Sequence, residues 1–262
     1  MLLFLWEHSS IWRRFLDQAF ESQLVLCEYA YHQGLETYIS DWIAAEVPEH
    51  NESHYQCSIP AEAWRGMLLR SLVSARLSCA ADNSADTAIE LLLVMAQKKS
   101  ETKLAFRAWI STNSSKLPTS GVRFLSILPA VVSITSALCS EKSTATSSEL
   151  FDQFFEVQNH ANFKVTPFER DYNNATLAQW HPTRPNPDFM LDFLRTHYVD
   201  EGGKLSMKNA PKDAKSYSSL RASLVRTQTL LKGLERSTDL QYVAQKSEEI
   251  FGTANTIRYV RK

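Results

Sequence analysis

Glycine is scarce in this sequence, with seven residues among 262, and the apolar residues mostly fall in blocks longer than a strand needs. Apolar residues make up 44% of the chain, enough to bury a substantial core. These features predict a mainly α protein. The N-terminal region is expected to be helical, and the C-terminal region mostly helical with room for a small β-sheet.

Paired cysteines and long apolar runs are also missing. The four cysteines, Cys27, Cys57, Cys79 and Cys139, form no CxxC pair, which argues against a disulfide framework and a zinc ribbon. A reducing, cytoplasmic environment is therefore expected. The opening MLLFLWEH is too short for a signal-peptide core or a membrane span, so it predicts a buried first helix and no membrane contact.

The motifs of common enzyme classes are absent: GxSxG, GxxxxGK[ST], HExxH and GxGxxG do not occur. A hydrolase, a kinase or a nucleotide-dependent dehydrogenase is therefore disfavoured, and no cofactor is expected. His50, His54 and Cys57 in HNESHYQC could bind zinc if that loop made one helical turn. Because no fourth ligand accompanies them, the pattern favours ordinary polar loop residues, and no metal is predicted.

Polar, turn-rich segments divide the chain. The segment 111–121 marks a boundary between an acidic helical domain, 1–115, and a helical C-terminal domain, 116–262. The stretch 121–139 is compatible with two short helices or with a helix followed by a strand, and 172–187, with three prolines, is expected to be irregular. Helix pairs joined by polar loops also suit a short α-solenoid. The predicted helices are about 10–47 with a break at Gly34, 60–79, 88–99, 103–110, 149–160, 188–199, 217–235 and 239–251.

The net charge of −1 hides a strong asymmetry. Residues 204–262 contain twelve Lys or Arg against five Asp or Glu, a net charge of +7, whereas residues 1–203 contain sixteen against twenty-four, a net charge of −8. Clustered cations displace counterions from a phosphate backbone, so this basic tail favours a duplex DNA partner. Packing of the basic tail against the acidic remainder of the same chain is the alternative. The candidate DNA-binding residues are Lys204, Lys208, Lys212, Lys215, Arg226, Arg258, Arg261 and Lys262.

Within this tail, SSLRASL, LLKG, DLQYVAQ and GTANTIRYVR occur in succession. Together they resemble the C-terminal part of the tyrosine recombinase (phage integrase) family, which has a His-x-x-Arg box, a Gly-containing turn, a DLxxV helix and a Thr-x-x-Tyr ending. The resemblance implies that Arg221 binds the scissile phosphate and that Tyr259 is the nucleophile. Arg123, in TSGVRFLSIL, is similar to the family's first arginine.

Such an arrangement implies a definite reaction. Two arginines would clamp the phosphate oxygens, and the tyrosine oxygen would attack phosphorus to form a phosphotyrosyl bond. Ser218 stands where the family has the histidine of the His-x-x-Arg box, and EEIFG replaces the LGH turn. The resemblance therefore implies a DNA-binding relative, and these departures leave two alternatives: an active enzyme that cleaves and rejoins DNA strands, or a relative whose catalysis is degenerate.

A non-enzymatic helical adaptor in a larger protein or nucleoprotein assembly is the alternative function. Four of the six tryptophans, Trp6, Trp12, Trp42 and Trp64, lie in the first 64 residues. Tryptophan is enriched where proteins contact one another, but it also packs in cores. Protein partners thus remain an expectation beside duplex DNA, and no small-molecule partner is expected.

Overall fold

The computed structural model describes residues 20–44, 61–112, 125–140, 145–160, 166–199 and 214–252, apart from the side chains of 20, 61–64, 105–112, 160 and 214–215. The described part is 81% helical and contains no strand, which confirms the prediction of a mainly α fold. The small β-sheet allowed for in the C-terminal region does not occur among these residues. Within the same ranges, no helix combines the length and the apolar content needed to cross a bilayer.

Two compact units divide the chain, Met1–His160 and Ala161–Lys262. The boundary drawn from the sequence, between 115 and 116, falls in a segment outside the described residues. The described helices of the first unit are α1 (Phe20–His32), α2 (Glu36–Ala44), α3 (Ala61–Cys79), α4 (Asp86–Thr112), α5 (Leu128–Leu138) and α6 (Ser148–His160). Those of the second are α7 (Pro167–Ala178), α8 (Asp188–Tyr198), α9 (Ala214–Gly233) and α10 (Ser237–Gly252).

Helix α3 is the centre of the first unit. It packs against α1, α2, α4 and α5, and α4 packs in turn against α6. Leu68, Leu69, Leu72 and Val73 are fully buried, so this helix is apolar on more than one side, as expected for a helix surrounded by others. Its contacts with four neighbours make α3 the main core element of this unit.

The turn between α1 and α2 forms at Gly34, where the sequence predicts a helix break. Gly34 has φ of 67°, a left-handed conformation that costs glycine little because it lacks Cβ. The Leu35 N–H donates to the Ala30 carbonyl at 2.8 Å and the Gly34 N–H to the Tyr31 carbonyl at 3.1 Å. These bonds close the end of α1 and let the chain turn into α2.

Two predicted elements were wrong. Helix α4 is continuous over Asp86–Thr112, whereas separate helices over 88–99 and 103–110 were expected. The intervening residues 100–102, SET, are polar but include neither glycine nor proline, so nothing in them breaks a helix. The segment 172–187 was expected to be irregular, but α7 extends through Ala178 and the prolines at 182, 185 and 187 all follow it.

The second unit has its own apolar core. Helix α8 packs against α7 and α10, and α9 packs against α10. Met190, Leu191, Phe193, Leu194, Leu220, Leu224, Leu231, Val243 and Ile250 are among the buried residues of one cluster drawn from all these helices. This core fixes which side of α9 faces inward, and hence which side is exposed.

Candidate nucleic-acid interface

Helix α9 is the most basic described element of the tail. Its twenty residues, AKSYSSLRASLVRTQTLLKG, include Lys215, Arg221, Arg226 and Lys232 and no acidic residue. Leu220, Leu224 and Leu231 lie on its buried side, separated by the four- and seven-residue steps of a helix that packs on one side. The remaining surface of α9 therefore carries basic side chains, and no acidic side chain of the same helix balances their charge.

One exposed surface lies opposite these leucines. At 100° per residue, Arg221, Val225 and Lys232 project within about 40° of one another. Val225 is 54% exposed, and the neighbouring residues on this surface are exposed as well. We call this surface the α9 face; it comprises Ser218, Arg221, Ala222, Val225, Thr229 and Lys232.

The two cations of the α9 face have no partner among the residues that the structure describes. Neither Arg221 nor Lys232 makes a hydrogen bond or an ion pair with another described residue. They are eleven positions apart, about 16 Å along the helix. Both side chains are exposed, so two positive charges lie on the α9 face over that distance.

Other basic residues of the tail are engaged in ion pairs. The Arg236 guanidinium lies 2.6 Å from Asp188 and 2.8 Å from Asp239, and its hydrogen bonds to these carboxylates, that to Asp188 first, raise its pKa. Lys246 is buried and lies 2.7 Å from Glu249. Its hydrogen bond lowers the pKa of the Glu249 carboxyl. The positive charge of these two side chains is therefore largely balanced within the fold.

Arg226, predicted to contact DNA, lies at the edge of the α9 face and packs on Trp180. Its guanidinium carbon is 4.2 Å from the centre of the Trp180 ring, a cation–π distance. One terminal nitrogen donates to the Gln179 carbonyl at 3.5 Å, and Nε is buried without a hydrogen-bond partner in the described part of the chain. Arg226 therefore has a structural contact that its sequence position did not reveal.

A row of polar side chains joins α7 to α9 and sets the orientation of α9. The Tyr172 hydroxyl lies 2.8 Å from Ser219 Oγ, and Thr176 Oγ1 lies 3.3 Å from Ser223 Oγ. One turn further on, the hydroxyl of the fully buried Thr227 is 3.1 Å from Gln179 Oε1. We call this row the polar seam. It lies on the side of α9 away from the exposed residues of the α9 face.

The proposed catalytic set is only partly within the described residues. Arg221 is exposed on α9, but Arg123 and Tyr259 lie outside the described residues, so their convergence with Arg221 stays a prediction. The backbone of Lys215 belongs to α9, and its side chain is not described. The other predicted DNA-binding residues, Lys204, Lys208, Lys212, Arg258, Arg261 and Lys262, also lie outside, as do His50, His54 and Cys57.

The described residues show little else that could support chemistry. They contain no group of three or more His, Cys, Asp or Glu side chains able to hold a metal ion. Burial raises the pKa of the Cys27 and Cys139 thiols to about 12, so neither is a thiolate nucleophile at neutral pH. The arrangement on α9 fits anion binding better than catalysis by these groups.

The Asp171–His197 pair was not foreseen from the sequence. His197 Nε2 lies 3.0 Å from Asp171 Oδ2, and the rings of Phe168 and Phe193 lie 5.2 and 5.1 Å from the imidazole. The two residues are 26 positions apart, and no spacing rule links them. The pair joins α7 to α8 and so supports the framework behind α9.

Comparison of the chain with protein-family models, with curated proteins and with solved structures found no match in any of the three.

Proposed function

We propose that this protein binds duplex DNA through the α9 face. The observation that carries the proposal is the pair of exposed cations, Arg221 and Lys232, which no other described residue pairs, on a helix without acidic residues. Helix α9 has no acidic residue of its own that could neutralise its positive charge. A polyanion with closely spaced phosphates is the partner that such a surface fits.

The shape of the α9 face supports a duplex in particular. A helix with its side chains is about 10–12 Å across, and the major groove of B-DNA is about 12 Å wide. The separation of about 16 Å between Arg221 and Lys232 along α9 would let them approach phosphates on the two sides of that groove. Ala222 and Val225 between them are short, so they would not hold the helix away from the bases.

Kinship with the tyrosine recombinases is part of the proposal. The exposure of Arg221 is compatible with its proposed role on a phosphate, because an arginine that clamps phosphate oxygens must reach solvent before DNA arrives. Strand cleavage would also need Arg123 beside that phosphate and Tyr259 in line for attack on phosphorus. Covalent capture tests this part: a DNA adduct that forms with the unaltered chain and disappears in Tyr259→Phe would support it.

The salt dependence of DNA binding tests the main proposal. We expect the unaltered protein to bind duplex DNA tightly at about 50 mM salt and progressively more weakly as salt rises. Arg221→Gln and Lys232→Gln should each reduce the slope of log affinity against log salt by about 0.9, since each removes one phosphate contact. Fluorescence anisotropy with a labelled duplex would measure both quantities.

Arg195→Gln is the matched control. Arg195 is also exposed and on a helix of the same unit, but it pairs with Asp192 at 3.3 Å and Asp239 at 3.6 Å. Its loss should leave the salt slope unchanged. If the unaltered protein shows no binding at low salt, or if Arg195→Gln reduces the slope as much as Arg221→Gln, the α9 face is not the DNA-binding surface.

A protein-binding adaptor is the second candidate, favoured by exposed apolar residues on the first unit. Val25 and Tyr29, four positions apart on α1, are 64% and 54% exposed, and residues at this spacing are neighbours on a helix surface. Mass measurement in solution with candidate partners would test this function. A complex that forms equally well with Arg221→Gln but is lost in Val25→Ser and Tyr29→Ser would favour the adaptor.

A further inference from the structure

The middle of the α9 face is apolar rather than basic. Between Arg221 and Lys232 lie Ala222, Val225 and Thr229, all exposed. The Thr229 hydroxyl donates to the Val225 carbonyl of its own helix at 3.0 Å, which commits its hydrogen. A surface that contacted only phosphates would be expected to place donors here, because phosphate oxygens are acceptors.

Exposed apolar side chains between two phosphate-directed cations fit the floor of the major groove. There, the 5-methyl group of thymine is the apolar feature of the base edges, and small side chains such as alanine and the methyl group of threonine contact it. The minor groove has no such group. Val225, at 54% exposure, is the largest apolar side chain on the α9 face and lies near its centre.

The framework behind α9 would hold these side chains in place. The polar seam and the leucine side of α9 contact the rest of the second unit on two sides, so the helix is supported along its length. Arg226 is drawn to the edge of the α9 face by Trp180. The centre of the face is thus left to short side chains, which permits close approach of the helix to base edges.

From these observations we infer that α9 inserts into the major groove and that Val225, with Ala222 and Thr229, contacts thymine methyl groups. This inference rests on the proposed function and adds a base preference to it. Arg221 and Lys232 would position the helix through phosphates, whereas Val225 would distinguish thymine from uracil at the same position. The partner it identifies is A·T-containing duplex DNA rather than any polyanion.

Replacement of thymine by uracil tests the inference, since it removes the methyl group and keeps every hydrogen-bonding group. Binding to short duplexes of alternating dA and dT would be compared with binding to duplexes of alternating dA and dU of the same length. Each buried methyl group should contribute about fourfold in affinity. We therefore expect the thymine duplex to bind at least about fourfold more tightly, and Val225→Ala to lower that ratio towards one.

Val132→Ala is the matched control, because Val132 is 58% exposed on α5 of the first unit. It should retain the full ratio. Val225→Ala replaces one surface residue by a better helix former, and circular dichroism would show that α9 is kept. The ratio measured on the unaltered protein tests the inference even without the variant.

The outcomes separate the inference from the function on which it rests. Equal affinity for the thymine and uracil duplexes would overturn the inference while duplex binding itself stands. A ratio that persists in Val225→Ala would also overturn it, because another part of the protein or the shape of the duplex would then be responsible. Absence of binding to either duplex at low salt would remove both.

Discussion

Gly66 on α3 is held in a place where no side chain fits. A Cβ at this position would lie 2.7 Å from the Ser126 carbonyl oxygen and 3.1 Å from Ser126 Cβ. The carbonyl oxygen is part of the backbone that leads into α5, and Cβ is bonded directly to that backbone. Neither atom can therefore rotate away. The close approach of α3 to this segment therefore depends on the missing side chain.

We expect Gly66→Ala to lower the free energy of unfolding by about 1–3 kcal/mol, the cost of overpacking. Alanine's better helix propensity, about 1 kcal/mol, offsets only part of the clash. Gly233→Ala is the control, since nothing lies within 4 Å of a Cβ there. Urea denaturation should show that variant to be as stable as the unaltered protein or slightly more so; equal effects of both changes would contradict this account.

Glu249 stabilises a buried cation. Lys246 is 6% exposed, and the hydrogen bond from Lys246 lowers the Glu249 pKa below its ordinary 4.5, with a smaller contribution from Gln245. Because the pKa is lower in the folded state, the interaction contributes its full stabilisation at pH values above the pKa of the unfolded chain. This stabilisation is lost as the pH falls through the pKa of the folded protein. The pair should therefore support stability at neutral pH and not in strong acid.

We expect Glu249→Gln to lower the free energy of unfolding by about 1–2 kcal/mol at neutral pH. This is less than the loss for a fully buried ion pair, because Glu249 is partly exposed. The difference from the unaltered protein should shrink as pH falls below 4.5, where the unfolded carboxyl is protonated. Thermal unfolding over a pH series would measure it. A difference that stays constant down to strong acid would show that the ion pair is not its cause.

At the level of helices, the polar seam between α7 and α9 is the feature on which the candidate interface depends. The Thr227 hydroxyl is shared between Gln179 Oε1 at 3.1 Å and the Ser223 carbonyl at 2.8 Å. Gln179 is fully buried and donates to the Ala175 carbonyl. Without the Thr227 hydroxyl, Gln179 Oε1 would lose its hydrogen-bond donor at a buried position that water does not readily reach.

We expect Thr227→Val to lower the free energy of unfolding by about 1–3 kcal/mol, the cost of an unsatisfied buried polar group. Thr229→Val on the same helix is the control. Thr229 also donates to the carbonyl four positions earlier but is exposed, so its replacement should change stability by less than about 0.5 kcal/mol. Guanidinium denaturation of both variants would decide; similar losses would mean that the seam adds little.

The helices that the sequence predicted well have clear local signals. Ser58 and Pro60 mark the start of a helix at about 60, and α3 begins at Ala61. Asn186 and Pro187 mark the start of α8, whose bounds, Asp188–Tyr198, lie within one residue of the prediction. Capping residues and prolines act over a few positions, so they are visible without knowledge of the fold.

Helix α7 has a clear local signal at its N-terminus. Thr166 caps it: its hydroxyl accepts from the Glu169 N–H at 3.2 Å, and the Glu169 side chain accepts from the Thr166 N–H at 2.8 Å. Thr-Pro-x-Glu at 166–169 is a capping box with proline in the first turn. The three later prolines follow the end of this helix and so do not interrupt it.

The candidate site was less predictable because its properties depend on distant partners. Arg236 is 48 positions from Asp188, and Arg226 is far along the chain from Trp180. Charge counting treats Arg221, Arg226 and Arg236 alike, since nothing in their local sequence shows which will be paired. Only the packing of α7, α8, α9 and α10 distinguishes Arg221, which no described residue pairs, from Arg226 and Arg236.

For the whole molecule, the division into two compact units has an energetic consequence. The described residues of the core cluster in the second unit belong to its own helices. Leu224 is fully buried in that core, so we expect Leu224→Ala to lower the free energy of unfolding by about 2–5 kcal/mol. We expect hydrogen exchange to accelerate in α8, α9 and α10 and to change little in α3.

Leu92→Ala provides the reciprocal test, because Leu92 is fully buried on α4 of the first unit. It should accelerate exchange in α3 and α4 while α9 remains protected. Exchange followed by mass spectrometry resolves the two units. If either substitution exposed all helices equally, the units would unfold as a single cooperative body, and the separate cores would not act independently.

The polar seam also determines how α9 is aligned with α7. Ser219, Ser223 and Thr227 recur every four residues, so a slide of one helical turn, about 5–6 Å, would bring each hydroxyl opposite another one. The stacking of Arg226 on Trp180 does not repeat in this way. This indole–guanidinium contact therefore favours one of the alignments that the repeating hydroxyls alone would permit, and it does so together with the buried leucines of α9.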